Sequence, residues 1–134
     1  MWKVLVAFAL ISAPVLAAKD APEVLSKYGV KYVSGGMTPD ERKEMAHIGA
    51  KFPVHLHFVI EGSDTPISGV KVTALDVKGD IYLQAQSDGP LFFFDATGGR
   101  YTIEAEYKGE RLSQTKDLVG RRYLLLEYRF RAGS

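Results

Sequence analysis

The chain of 134 residues has no cysteine and almost no excess of charge of either sign, with 17 basic and 16 acidic residues. The lack of cysteine excludes a disulfide scaffold and a thiol enzyme. The charge balance leaves no strong positive field, so we expect no nucleic-acid partner. Because 46% of the residues are hydrophobic, the composition predicts one globular domain rather than a disordered chain.

Long apolar runs are also scarce, and the longest lies at the N-terminus. Residues 4–16 are almost entirely apolar, and they follow Lys3 and precede Ala17. The run is shorter than the ~20 residues that span a membrane, and Pro14 would break a helix there. Residues 1–17 are therefore predicted to be a cleaved signal peptide. We expect a periplasmic or secreted protein without an integral membrane segment.

The segment that follows, residues 18–37, mixes small, charged and isolated apolar residues and ends close to a glycine pair. This composition predicts a flexible N-terminal arm. Residues 38–134 are then predicted to hold a short capped helix and the folded domain.

The residues that follow the arm predict the start of a helix. Thr38 is a suitable N-cap, Pro39 fits the first helical position, and Glu41 can return the capping hydrogen bond. The helix is predicted to run from Pro39 to about Ile48. Gly49 is expected to end it, because glycine adopts the left-handed C-terminal conformation without strain.

After the helix, the apolar residues alternate with polar ones, which is typical of strands with one buried face. Turns rich in glycine, proline, serine and aspartate separate the alternating segments. The pattern predicts an all-β fold, a seven-stranded β-sandwich with one short N-terminal helix. The predicted strands are residues 54–60, 69–74, 81–86, 91–94, 101–107, 111–118 and 123–130.

Three consecutive phenylalanines, Phe92 to Phe94, need apolar surroundings on both faces of their strand. We expect a second sheet to cover one face and a helix or the N-terminal arm to cover the other, for which the helix side with Met45 and Ile48 is available. The alternative is an exposed aromatic platform for a sugar or a peptide.

The segment from Pro66 to Glu110 combines a Gly-Val-Lys-Val strand, a Lys-Gly turn, a Ser-Asp-Gly turn, an aromatic strand and Gly-Arg-Tyr-Thr-Ile. In this combination it resembles the carboxypeptidase regulatory-like domain, a transthyretin-like (Ig-like) β-sandwich, and the resemblance extends over roughly residues 52–130. It implies an accessory module that accompanies enzymes or receptors without catalysing a reaction. We therefore expect an exported, non-enzymatic module that binds a protein or a cell-envelope glycan.

All three histidines lie close together in the sequence, His47 near the predicted helix end and His55 and His57 on one face of the first predicted strand. Residues two apart on a strand have Cα atoms about 6–7 Å apart and can share one ion. One interpretation is a Cu or Zn site with His47 or a carboxylate as the third ligand. The other is a solvent-facing strand surface without a cofactor.

A second resemblance is to 5-hydroxyisourate hydrolase, the enzymatic relative of transthyretin. His57 is similar in position to that family's first-strand catalytic histidine, and the terminal Arg131-Ala132-Gly133-Ser134 is similar to its Tyr-Arg-Gly-Ser ending. No histidine follows His57, so the family's second catalytic histidine has no counterpart here. An enzyme that needs paired acid and base groups cannot keep its mechanism without one of them. The hydrolase stays an alternative to the binding module.

Arginines make the last predicted strand locally basic. They are Arg121, Arg122, Arg129 and Arg131. Charge of this kind protects an edge strand against unwanted pairing, which is the interpretation that we adopt; a site for an anionic ligand is the alternative.

Overall fold

The computed structural model describes residues 22–119 and 123–131, and the predicted signal peptide, residues 1–17, lies outside this part of the chain. Within it there are nine strands and one helix, so the fold is mostly β, as predicted. The elements are β1 (Leu25–Lys27), β2 (Val30–Gly35), α1 (Pro39–Gly49), β3 (Val54–Ile60), β4 (Lys71–Leu75), β5 (Ile81–Gln86), β6 (Leu91–Phe94), β7 (Arg100–Tyr107), β8 (Glu110–Asp117) and β9 (Leu124–Phe130).

The strands form two sheets. The five-stranded sheet has the order β1-β2-β6-β3-β9, and the four-stranded sheet has the order β5-β4-β7-β8. Neighbouring strands are antiparallel except β3 and β9, which run parallel from the pair Val54 and Leu124 to the pair Ile60 and Phe130. The last strand therefore lies beside the first strand that follows the helix.

One hydrophobic core lies between the two sheets. Alternate residues of β3 and β9 contribute to it from the five-stranded sheet, and alternate residues of β4 and β7 contribute from the other. The largest fully buried side chains include Tyr128, Phe58, Phe92, Phe94 and Phe130. Burial of this apolar surface is the main force that holds the two sheets together.

The observed strand count is nine rather than seven, and β1 and β2 are the two additional strands. They lie in residues 25–35, which were predicted to belong to a flexible arm, so that prediction is wrong for these residues. Val33 of β2 is fully buried, and the ring of Tyr32 stacks on Phe92 with centroids 5.5 Å apart. These contacts offset the entropy lost when the segment is ordered.

The helix begins at Pro39 with Thr38 as its N-cap, as predicted. The Glu41 amide donates to Thr38 Oγ1 over 3.1 Å, but Glu41 Oε1 accepts from the amides of Gly36 and Met37 rather than from that of Thr38. The carboxylate therefore holds the preceding turn to the first turn of α1. No helix in the part of the chain that the structure describes is long and apolar enough to cross a membrane.

The helix end differs from the prediction. Gly49 is the last helical residue rather than a left-handed cap, and Ala50 follows in a right-handed conformation. A Cβ at Gly49 would lie 2.8 Å from Phe93 Cε2 and 3.0 Å from His55 Cε1. Glycine is needed here because α1 approaches the sheet closely at this point.

A buried hydrogen bond joins the two sheets, and its loss should be measurable. The hydroxyl of Tyr128 in β9 donates to the carbonyl oxygen of Ile103 in β7 over 2.7 Å. In the Tyr128→Phe variant this buried carbonyl loses its side-chain donor, so we expect the free energy of unfolding to fall by about 1–2 kcal/mol in urea denaturation at pH 7.

The free energies of unfolding of wild type and Tyr128→Phe should respond differently to alkaline pH. Burial raises the pKa of the Tyr128 phenol well above its ordinary value of about 10. Below pH 10 the contribution of this group to stability is complete, and it is lost as the pH rises further because the unfolded phenol ionises first. The stability difference between wild type and Tyr128→Phe should therefore shrink above pH 10. A difference that stays constant there would contradict the role given to this hydroxyl.

Candidate functional site

The outer face of the five-stranded sheet, which points away from the shared core, is only partly covered. A second hydrophobic cluster lies on it, formed by Val33 of β2, Phe93 of β6, Met45 of α1 and Phe52. Ile48 also packs against this cluster. The predicted division of the phenylalanines is thus confirmed, because Phe92 and Phe94 face the main core and Phe93 faces the helix.

Beside the helix, a groove follows the outer side of β3. It consists of three openings in a row, with volumes of about 600, 310 and 210 Å³. The first and second openings share His55 and Leu125, and the second and third share His57. The first opening lies between the end of α1 and the start of β9, and the middle one between β6 and β9. The smallest is bordered by Arg42 of α1 and by the β3–β4 loop. We call this surface the β3 groove, and its lining includes Arg42, Ala46, Gly49, Ala50, Lys51, Phe52, Pro53, His55, His57, Asp64, Leu91, Phe93, Tyr123, Leu125 and Glu127.

His55 forms the floor of the groove where α1 ends. Its Nε2 lies 2.9 Å from the carbonyl oxygens of both Gly49 and Phe52. Because carbonyl oxygens only accept hydrogen bonds, Nε2 carries a proton and donates. The imidazole also stacks on Phe93 with ring centroids 4.0 Å apart, so His55 fixes the end of α1 to the sheet.

Two exposed apolar side chains stand on the β9 side of the groove. Leu125 is 67% exposed and Tyr123 is 54% exposed. The Tyr123 ring lies 5.8 Å from that of His55, on a floor that already includes Phe93. An exposed aliphatic and an exposed aromatic residue on one concave surface are typical of an interaction site.

Leu125 was not predicted as a site residue, although the sequence contains a signal for it. Along β9 the even-numbered residues are buried and the odd-numbered ones are exposed. Glu127 and Arg129 are the charged residues expected on an exposed face, whereas Leu125 is apolar in the same register. A large apolar residue on the polar side of a strand marks a surface with a partner or a cover.

Charged groups border the far part of the groove. Arg42 of α1 donates from Nη1 to the Gly36 carbonyl over 3.0 Å, and it lines the smallest opening together with His57. Across the groove, Glu127 forms an ion pair with Arg129 at 3.2 Å. Lys51 lines the groove at the opposite end of the helix. The groove thus has charges of both signs, because Asp64 lines the same opening as Arg42 and the first turn of α1 carries Asp40 and Glu41.

The structure does not bring the three histidines together as metal ligands. His55 and His57 share the β3 groove, but His47 lines a different cavity, with Lys31 and Asp95. The Nε2 atom of His55 is also engaged by two carbonyl oxygens. Within residues 22–119 and 123–131, no group of three or more His, Cys, Asp and Glu side chains is arranged to hold a metal ion. The Cu or Zn interpretation with His47, His55 and His57 stays a prediction, without an arranged group of three ligands in this part of the chain.

The other predicted site features are found in separate places. His57 is exposed near the β3–β4 loop, and Ala132 to Ser134, the end of the hydrolase-like motif, lie outside the described residues. β9 is the edge strand of its sheet, and side chains of β8 reach that edge at two points, where Gln114 donates to the Glu127 carbonyl and Glu110 accepts from the Arg131 amide. Arg121 and Arg122 also lie outside the described residues.

The β3 groove can hold an elongated ligand by apolar contact and orient it by charge at its ends. Its floor follows the seven residues of β3, so the groove is about 20 Å long at ~3.3 Å per residue. No protein-family model and no curated protein matches this chain.

Proposed function

We propose that the chain is an exported, non-enzymatic binding module of the carboxypeptidase regulatory-like type, and that it holds a protein partner in the β3 groove. The single observation that carries the proposal is the exposure of Leu125 and Tyr123 on the wall of a concave surface about 20 Å long. Export rests on the leader-like residues 1–17. The domain type rests on the resemblance over residues 52–130, a range that contains the seven strands β3 to β9.

The chemistry of the groove favours a protein over a cell-envelope glycan. Sugars bind to aromatic faces surrounded by many hydrogen-bond donors and acceptors, whereas Leu125 offers only aliphatic surface. His55 has one ring nitrogen engaged with the backbone and one ring face covered by Phe93. The surface around Leu125 and Tyr123 suits apolar side chains of a partner, and the charged groups at the ends of the groove can fix their position.

The test places a charge in the groove. In Leu125→Asp we expect capture of the protein partner from an envelope extract to fall at least tenfold, because a carboxylate would be desolvated in the centre of the contact. Val77→Asp is the matched control, since Val77 is 77% exposed in the turn between β4 and β5, away from the groove. Both variants replace an exposed residue, so circular dichroism and urea denaturation should match wild type.

The measurement is quantitative mass spectrometry of the captured proteins, followed by titration of the protein that differs between the two variants. Equal capture by wild type, Leu125→Asp and Val77→Asp would contradict the proposed site. Release of the chain by soluble envelope saccharides, rather than by a protein, would replace the protein partner with a glycan.

A further inference from the structure

We propose that an extended segment of the protein partner pairs with the edge of β9 and adds a strand to the five-stranded sheet. This inference rests on the proposed function and specifies how the partner is held. The backbone of the partner bonds to β9, and every second side chain lies beside Leu125 on the groove side of the sheet. Three observations carry it: the direction of the backbone groups of β9, an apolar corner between β8 and β9, and the charges on β9.

The backbone of β9 presents hydrogen-bonding groups away from its sheet. The Leu124 amide donates to the Pro53 carbonyl at the start of the parallel pair. The Phe130 carbonyl accepts from the Glu61 amide at its end. Because successive residues of a strand point their backbone groups to opposite sides, the even-numbered residues of β9 bond to β3 and the odd-numbered ones face the open edge. The odd-numbered residues of β9 are Leu125, Glu127 and Arg129.

Two side chains of β8 reach this edge without closing it. Gln114 Nε2 donates to the Glu127 carbonyl over 2.9 Å, and Glu110 Oε1 accepts from the Arg131 amide over 2.8 Å. Neither contact uses the backbone groups of Leu125. Both contacts are exposed, and the net free energy of such a hydrogen bond is small, so an added strand can displace them.

Between these two contacts the corner is apolar. The contacts join β8 and β9 in opposite chain order, which places Leu112, midway between them on β8, beside Arg129 of β9. Leu112 pairs in register with the buried Ala105, so it points inward, where it packs partly buried against the main core. Its side chain has no donor or acceptor for the edge of β9. A strand added to β9 would cover this leucine with every second side chain.

The other edges of the two sheets offer less to an added strand. β1, at the opposite edge of the same sheet, has three residues, and it lies against β5 of the second sheet. The exposed side chains of β8 are polar or charged, which disfavours pairing with a neighbour. β9 has seven residues and carries the exposed Leu125 next to Tyr123. It is thus the edge at which backbone pairing and apolar contact coincide.

The outer side chains of β9 specify the partner segment. Antiparallel pairing is the more stable arrangement per residue, and it places the residues opposite Arg129, Glu127 and Leu125 at alternate positions in that order. Opposite charges and apolar pairs stabilise such cross-strand neighbours, so these residues are acidic, basic and apolar. The ion pair between Glu127 and Arg129 is exposed, so exchanging it for cross-strand pairs costs little. The residues in between face Leu112 and are apolar.

The probe is a synthetic peptide of about seven residues, the length of β9. It has glutamate, lysine and leucine at alternate positions, valine between them and threonine at both ends. Calorimetric titration of the purified chain should give one saturable site. N-methyl groups on the lysine and leucine amides remove donors that face β9, and we expect about tenfold weaker binding. In the matched control the N-methyl groups are on the two valines, whose amides face away, and binding should be kept.

Hydrogen exchange locates the peptide on the chain. At saturation, exchange of the Leu125, Glu127 and Arg129 amides should slow about tenfold in NMR spectra. The amides of Leu126 and Tyr128 already face β3 and should change little.

Variants of β8 test the corner. Glu110→Ala combined with Gln114→Ala frees the edge and should strengthen peptide binding about tenfold. Leu112→Gln removes the apolar contact and adds a polar side chain beside the edge, so it should weaken binding. Val77→Asp is the control and should bind as wild type does.

Each other result has a definite meaning. Equal binding of the two N-methylated peptides, or unchanged exchange at Leu125, would overturn the added strand. If the same amides become protected without peptide as the chain is concentrated, and sedimentation shows a dimer, the occupant is a second copy and the proposal fails. If no peptide binds even the double variant while capture of the natural partner depends on Leu125, the strand inference fails and the proposed function stands. If that capture is independent of Leu125, the proposed function itself fails.

Discussion

Phe93→Ala should lower the free energy of unfolding by about 3–5 kcal/mol, the largest loss that we expect from a single side chain outside the main core. Phe93 is 4% exposed, packs with Val33, Met45 and Phe52, and supports the ring of His55. Its truncation leaves a cavity beneath α1 that the rigid sheet cannot fill. Because domains of this size are stable by about 5–15 kcal/mol, the loss is a large part of the total.

The loss of stability in Phe93→Ala should be concentrated in α1. Amide hydrogen exchange in residues 39–49 should increase more than in β4 and β7, because α1 loses its main contact with the sheet. Phe93→Leu is the matched control and should cost less than about 1.5 kcal/mol, since it keeps an apolar side chain in the cluster. A loss below 1 kcal/mol in Phe93→Ala, with unchanged exchange in α1, would show that other contacts hold the helix.

Gly89→Ala should destabilise the protein by about 3 kcal/mol through overpacking. A Cβ at Gly89 would collide with the carbonyl carbon and oxygen of Gly35 and would lie 2.9 Å from its Cα. These are backbone atoms, which cannot rotate away as a side chain can. The neighbouring Asp88 amide donates to the buried Ser34 hydroxyl over 2.9 Å, so the turn before β6 is also held against β2 by a hydrogen bond.

Gly98→Ala gives the comparison for Gly89→Ala. A Cβ at Gly98 has no heavy atom within 4 Å, and the residue does not have a positive φ. Its substitution should change the free energy of unfolding by less than about 0.5–1 kcal/mol, with a gain expected because alanine restricts the unfolded chain. Urea denaturation of the three proteins tests both values. Similar midpoints for the two variants would mean that the turn can move away from β2.

Local patterns were sufficient for most of the secondary structure. The alternation of apolar residues gave the positions of β3 to β9, and the capping residues Thr38 and Glu41 gave the start of α1. The β1–β2 hairpin was missed because its turn is Tyr28-Gly29, with Tyr28 at a φ of 56°. Hairpin turns with two positive φ angles usually have asparagine or aspartate at that position, so the usual sequence signal was absent.

The candidate site was harder to predict, because residues distant in the sequence form it. The groove depends on the closeness of His55 to Tyr123, which only the parallel pairing of β3 with β9 produces. Alternation tells which face of a strand is buried, but not which strand lies beside it. His55 and His57 were correctly placed on one face of β3, whereas the position of His47 depended on how α1 turns on the sheet.

The pairing of β3 with β9 also governs how the domain can fold. Most of the domain separates Val54 from Leu124 in the sequence, so a long loop must close before these strands gain any contact energy. Folds with a high contact order of this kind form slowly, in milliseconds to seconds. The β9 side of the groove exists only after that closure, so a chain without this pairing offers an incomplete surface. A partner that binds there distinguishes the finished domain from its folding intermediates.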